Sequence, residues 1–272
     1  MSRQSILVWD WPVRIGHWLM VGGFSLAWLT AESERWRLLH VWAGAVVVAV
    51  ALFRLVWGLM GTRYARFTAF LRGPAAVQRY LTSMLAGQPE HHTGHNPAGG
   101  WAIVLLLGLG LATGWAGWAN YNEWGGEWLE ELHEGLAATM LMVVVIHLGG
   151  VLTGSFLHGE NLVRAMFSGR KQGRPEEAIP SARWMVVFVL LAWVWVAGRW
   201  LASTCTACRR VLSASSCVTA SWKARTYRVR WSNASASGKS STSWKRLSSC
   251  RAKPLCRPSP HAFRRYAPAC LR

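Results

Sequence analysis

Four histidines, His17, His40, His133 and His147, stand in or at the ends of stretches otherwise too apolar to welcome an ionisable side chain. An imidazole at membrane depth is expensive, and that expense points to a functional task. Spacing narrows the task. His133 and His147 are 14 residues apart, which on one helix is roughly 21 Å and about four turns, so the two rings share nearly one face at opposite ends. His17 falls at the inner end of the first apolar stretch, and His40, one crossing and a turn later, at the outer end of the second. Depths therefore match in pairs, His17 with His147 on the inner side and His40 with His133 on the outer side. Two imidazoles opposed across a helical bundle are what a six-coordinate haem iron takes as axial ligands. Any one intramembrane histidine is as readily a polar residue bonded to the next helix, but four at matched depth argue for ligation. The expectation is two b haems, with His17 and His147 on the inner iron and His40 and His133 on the outer one.

Arg54 stands 14 residues after His40, on the same helical face at the depth of the inner pair. Its guanidinium suits a haem propionate, or snorkels to the headgroups. Gly44, one turn after His40, leaves room for a flat macrocycle.

The elements that must position these residues are apolar runs long enough for a bilayer core, roughly 20 residues each. They lie at Ile15–Thr30, Leu38–Met60, Gly99–Trp118, Leu132–Phe156 and Trp184–Leu201. The expected fold is all-α, an integral membrane four-helix haem-binding bundle plus a fifth transmembrane helix. Asn96-Pro97 supplies an N-cap oxygen and a proline at the start of the third run. Trp9, Trp11, Trp18, Trp36, Trp101, Trp118, Trp124 and Trp128 fall near run ends, where an indole rests at headgroup level. Arginines at 63, 66, 72 and 79, and basic residues at 164, 170, 171, 174 and 183, mark the cytoplasmic side by the positive-inside rule. Arg3 and Arg14 put the N-terminus there too.

Composition excludes an ordinary soluble domain. The chain of 272 residues is 52 % hydrophobic and 15 % charged, with 19 Trp. Its formal charge of +18 is concentrated: residues 1–201 carry 15 Lys and Arg against 12 Asp and Glu, whereas residues 202–272 carry 15 Lys and Arg and no acid. Two regions follow, a membrane domain at 1–201 and a basic, Ser- and Cys-rich tail at 202–272. All six cysteines lie in the tail, so thiol chemistry has no part in the membrane domain. The tail has no hydrophobic period, and its composition is of the kind a GC-rich gene gives in a wrong frame, which places a frameshift near Cys208. A nucleic-acid arm is disfavoured, because a tail after the fifth helix emerges outside the cell.

Other polar residues carry weaker signals. His91 and His95 have a metal-pair spacing only on a helix, and Pro89, Gly94 and Pro97 argue against one. His158 reads as an interfacial residue in a position suited to a quinone head group. The acidic run from Glu123 to Glu131 reads as a solvated outer loop that could steer a basic electron carrier.

The stretches Val8-Trp9-Asp10-Trp11-Pro12-Val13-Arg14, Leu39-His40-Val41-Trp42-Ala43-Gly44, Leu52-Phe53-Arg54-Leu55-Val56-Trp57-Gly58, Gly94-His95-Asn96-Pro97-Ala98-Gly99-Gly100 and Glu160-Asn161-Leu162-Val163-Arg164-Ala165-Met166, together with the four histidines, resemble the bacterial cytochrome b561-like family, which includes b-type subunits of nickel-iron hydrogenases. The resemblance covers nearly all of residues 8–170. It implies a bacterial inner-membrane protein that carries electrons between the quinone pool and a periplasmic or membrane-bound partner, a c-type cytochrome or a hydrogenase-like oxidoreductase. In that role the chain is an electron-transfer subunit and not a stand-alone catalyst. Some relatives carry Cys-x-x-Cys-His after the fifth helix; here Cys205-Thr206-Ala207-Cys208 is followed by Arg209, so no haem c is expected. The alternative from another class is a haem-free membrane anchor or assembly subunit of a redox complex.

Overall fold

The computed structural model describes residues 4–204 except 89 and 123; the tail reading, with Cys205, Cys208 and Arg209, lies outside them. Five long helices occupy the five expected apolar runs: α1 (Trp11–Thr30), α2 (Arg37–Met60), α5 (Pro97–Tyr121), α6 (Glu127–His158) and α8 (Met185–Thr204). Short helices α3 (Phe67–Phe70), α4 (Pro74–Leu85) and α7 (Leu162–Ser168) fill the connections. Helix α1 starts before Ile15 because Asp10 caps it, its Oδ1 accepting from the Val13 amide at 3.0 Å, with proline in the first turn. The predicted Asn96 cap of α5 forms, Oδ1 accepting from the Gly99 amide at 2.6 Å.

Among the described residues, three segments are long and apolar enough to cross a bilayer: Glu34–Met60, Pro97–Tyr121 and Glu127–His158. Met185–Trp200 is a shorter apolar helix, and α1 carries Arg14, His17 and three indoles that lower its hydropathy. The helices pair as α1 with α2 and α5 with α6, the pairs meet through α2 and α5, and α8 lies against α2 and α1. Small residues make the close approaches possible. Ala43, Ala45, Ala49 and Ala51 are buried along α2, and a Cβ on Gly114 of α5 would collide with Val48.

Composition does not announce a small two-stranded antiparallel sheet, in which β1 (Gln4–Leu7) pairs with β2 (Arg170–Gly173). Below it Ile6, Val8, Trp9, Val13 and Ala65 form a cluster with Trp57 and Tyr64 against it. Gly169 O accepts from both the Val8 and Trp9 amides, and Tyr64 donates to Glu177 O at 2.8 Å. This cap fixes the start of α1 and hence the position of His17. It also corrects three expectations. Trp9 is buried in the cap and is not a headgroup anchor. Arg14 and Lys171, counted among the loop and terminal charges that mark the cytoplasmic side, are buried at 8 % and 7 % exposure. Arg14 Nε donates to Met166 O at 3.3 Å, and Lys171 lies 3.6 Å from Glu160 and donates to His92 O. Burying these cations is tolerable because each reaches an acceptor.

Candidate haem centres

His40, near the start of α2, and His133, near the start of α6, lie with ring centres 6.0 Å apart and planes at 74°. His40 Nδ1 lies 2.8 Å from Ala27 O and His133 Nδ1 2.9 Å from Thr113 O. A carbonyl only accepts, so each Nδ1 carries the proton and each Nε2 keeps its lone pair. That second bond is how proteins orient a ligating imidazole. Metal–imidazole bonds of roughly 2 Å put the centres of two opposed rings roughly 6 Å apart, so the outer pair has the spacing an iron between them needs. Glycine makes this approach possible, since a Cβ on Gly117 would sit 2.7 Å from His133 Cε1. Beside Gly44 the space is open, with nothing within 4 Å of an added Cβ.

Toward the other end of α6, His147 and His17 of α1 lie within electrostatic reach of one another. His17 Nδ1 is buried with no hydrogen-bond partner, and so are both terminal nitrogens of Arg54. The Arg54 guanidinium stands over Phe67 at 5.2 Å and Phe70 at 5.9 Å. Two buried guanidinium nitrogens lacking an acceptor are costly on their own, and the donor set fits a carboxylate brought by a bound group. The residues present thus suit haem at both levels: two neighbouring imidazoles with free Nε2 atoms outside, and an imidazole pair with an unpaired guanidinium inside.

Sequence reasoning missed His95. The segment from His91 to Asn96 is not helical, and His95 turns inward, its ring 4.3 Å from that of Trp9 and 5.0 Å from that of Phe70. Burial, then the charges of Arg54, Lys171, His147 and His17, hold it well below the ordinary histidine value. Its place directly before the Asn96 cap was the available signal. His92 is also lowered, chiefly by burial and against the pull of Glu90. His158 lies with its ring 5.8 Å from that of His91 at the end of α6.

Both lowered histidines lie outside the spanning segments, and their titration sets a pH dependence. Above about pH 6.5, the ordinary histidine value, folded and unfolded chains both hold them neutral. Below it the unfolded chain takes up protons that the folded chain refuses, so stability is lost on acidification. The melting temperature is expected to fall between about pH 7.5 and pH 5.5, and to fall less in the His92→Gln/His95→Gln variant. An equal fall in both proteins would place the acid sensitivity elsewhere.

The sequence profile of prokaryotic cytochrome b561 matches residues 8–169. A probable Ni/Fe-hydrogenase B-type cytochrome subunit of Rhodobacter capsulatus is 25 % identical over 218 residues, 62 % of this chain and 82 % of its own length. One from Bradyrhizobium diazoefficiens is 23 % identical over 225 residues, 64 % of this chain and 89 % of its own. A probable Ni/Fe-hydrogenase 1 B-type cytochrome subunit of Escherichia coli K12 is 29 % identical over 150 residues, 44 % of this chain and 63 % of its own. No solved structure gives a significant match. The profile takes in both histidine pairs, Arg54 and the Asp10 that caps α1, and on that match the chain belongs to the prokaryotic cytochrome b561 family.

Proposed function

We propose that this chain moves electrons across the bilayer between two bis-histidine b haems, the inner held by His17 and His147 and the outer by His40 and His133. The family carries membrane electron transfer through haem b; the proposal adds the number of haems and their ligands. The observation that supports it is the outer pair, whose ring centres lie 6.0 Å apart and whose Nδ1 atoms are bonded to carbonyls of α1 and α5, leaving both Nε2 atoms free to ligate.

When bound, haem b supplies a one-electron iron couple. The chain's residues do the rest. His40 and His133 hold their Nδ1 protons on Ala27 and Thr113, which fixes ring orientation and raises the basicity of Nε2. Arg54 offers its unpaired nitrogens to a propionate at the inner level. Apolar helix faces exclude water and supply the low dielectric that tunes potential.

Under this reading all five long helices span, α1 and α8 included, in the bacterial inner membrane with the N-terminus in the cytoplasm. The loop arginines support that orientation. Quinone exchange then belongs to the inner end, and relatives named as Ni/Fe-hydrogenase subunits favour a hydrogenase-like oxidoreductase as the outer partner, with a c-type cytochrome in the same role as the other choice.

A pyridine haemochrome assay with protein quantitation on the detergent-purified chain is expected to give about two haems b per chain and no haem c. A chain purified without haem, from cells able to make it, overturns this reading in favour of a haem-free anchor.

A further inference from the structure

On the side marked by the loop arginines, a cavity of about 540 Å³ opens between α3, α4, the start of α5 and the segment before it. Three arginines line it, Arg63, Arg72 and Arg79, with Glu90 and Glu177. Both carboxylates are engaged. Glu90 lies 3.5 Å from Arg79 and 3.7 Å from His92, and Glu177 accepts from the Arg174 amide and the Thr93 hydroxyl, both at 3.0 Å. Among the described residues, Arg63 and Arg72 have no carboxylate within ion-pair distance. The charge of Arg72 reaches His92 and that of Arg63 reaches Glu177, so both cations act on the cavity and leave an anion's place open.

Depth and surroundings say which anion. The backbone of Arg72 is tied to α5 by Trp101, whose exposed indole donates to Arg72 O at 2.8 Å. An exposed indole at a span end marks the headgroup level. Leu71, between the lining residues Phe70 and Arg72, is exposed, and so are Leu81 and Leu85 on α4, while Tyr80 on the other face of α4 is buried and accepts from Asn96. A helix with one face on the bundle and leucines on the opposite face rests in the interface among acyl chains. Unpaired arginines at headgroup depth, rimmed by exposed leucines, match a ligand with an anionic head and a hydrocarbon tail.

We propose that this cavity receives the phosphodiester headgroup of an anionic phospholipid of the surrounding bilayer, held by Arg63 and Arg72. The argument for this site does not rest on bound haem and needs only that the chain is embedded.

The test titrates the detergent-purified full chain with short-chain phosphatidylglycerol and with phosphatidylcholine of equal chain length, bound lipid being counted by native mass spectrometry. Phosphatidylglycerol is expected to be retained in preference, and Arg63→Gln/Arg72→Gln to weaken it roughly 10- to 30-fold with phosphatidylcholine unchanged. Arg164→Gln/Arg170→Gln removes equal charge from the same side outside the cavity and is expected to change retention less than about twofold. Equal losses in the two double variants would overturn the proposal, since surface charge alone would then explain binding. Complete displacement by glycerol 3-phosphate at the same concentration would also overturn it, assigning the site to a soluble phosphate compound. Should the double glutamine variant fail to fold, Arg72→Glu alone carries the test and is expected to abolish the preference, whereas Arg72→Lys keeps it.

Discussion

Replacing His133 with leucine is expected to lower the haem content from about two to about one per chain, with His40 left without a partner across the bundle. Leucine fills much of the volume of imidazole and offers no lone pair, so helix packing is largely kept while ligation is lost. The effect follows from the outer geometry, in which His133 is the imidazole beside His40, with ring centres 6.0 Å apart. His147→Leu is expected to remove the other haem, and the double variant both. His158→Leu serves as control, since it changes a histidine of the same helix that belongs to neither pair. Haemochrome stoichiometry on all four proteins checks this, with dithionite-reduced spectra to show which of two components each single variant loses. Two haems retained in His133→Leu would sink the outer assignment.

These histidines were legible in the sequence because their signal is local in one respect and periodic in another. An ionisable group inside an apolar run is visible without a fold, and a separation of 14 residues puts two of them on one helical face. The Asn96 cap was legible for the same reason, since its acceptor and donor are three residues apart. What was not legible depends on contacts between distant segments. The β1–β2 pairing joins Gln4 with Gly173, and two four-residue strands are too short to show a hydrophobic alternation that would announce it. Lys171 therefore looked like one more cytoplasmic cation, although Glu160 and His92 O hold it inside the fold. His95 read as a loop histidine because only the folded chain brings Trp9 and Phe70 to it. Arg54 is intermediate. Its face and depth followed from spacing, but the choice between headgroup and inward partner needed its buried, unpaired nitrogens.

Asp10 is the residue that sequence reasoning passed over and on which the inner half of the molecule most depends. It is fully buried at 0 % exposure, and three donors converge on it. Its Oδ1 caps α1 through the Val13 amide, and its Oδ2 accepts from Trp57 Nε1 at 3.0 Å and Thr62 Oγ1 at 2.7 Å. One carboxylate thus ties the start of α1 to the end of α2 and the turn beyond it, and its charge reaches Arg54. Removing it leaves the donors unpaired and takes a counter-charge from a buried guanidinium. Loss of the cap costs about 1 kcal/mol, and the stranded donors bring the total to about 2–4 kcal/mol. Asp10→Ala is therefore expected to lower the melting temperature by roughly 5–15 °C in detergent. Asp10→Asn keeps the shape but turns one accepting oxygen into a donor facing other donors, so it is expected to recover less than half of the loss. Because the same carboxylate sets α1, and α1 carries His17, the inner haem is expected to be lost on mild heating before the outer one. Melting curves followed at the protein and haem absorbances of wild type and both variants separate the two effects. Wild-type melting in Asp10→Ala would show that the cap and its sheet, rather than this carboxylate, hold the end of α2 in place.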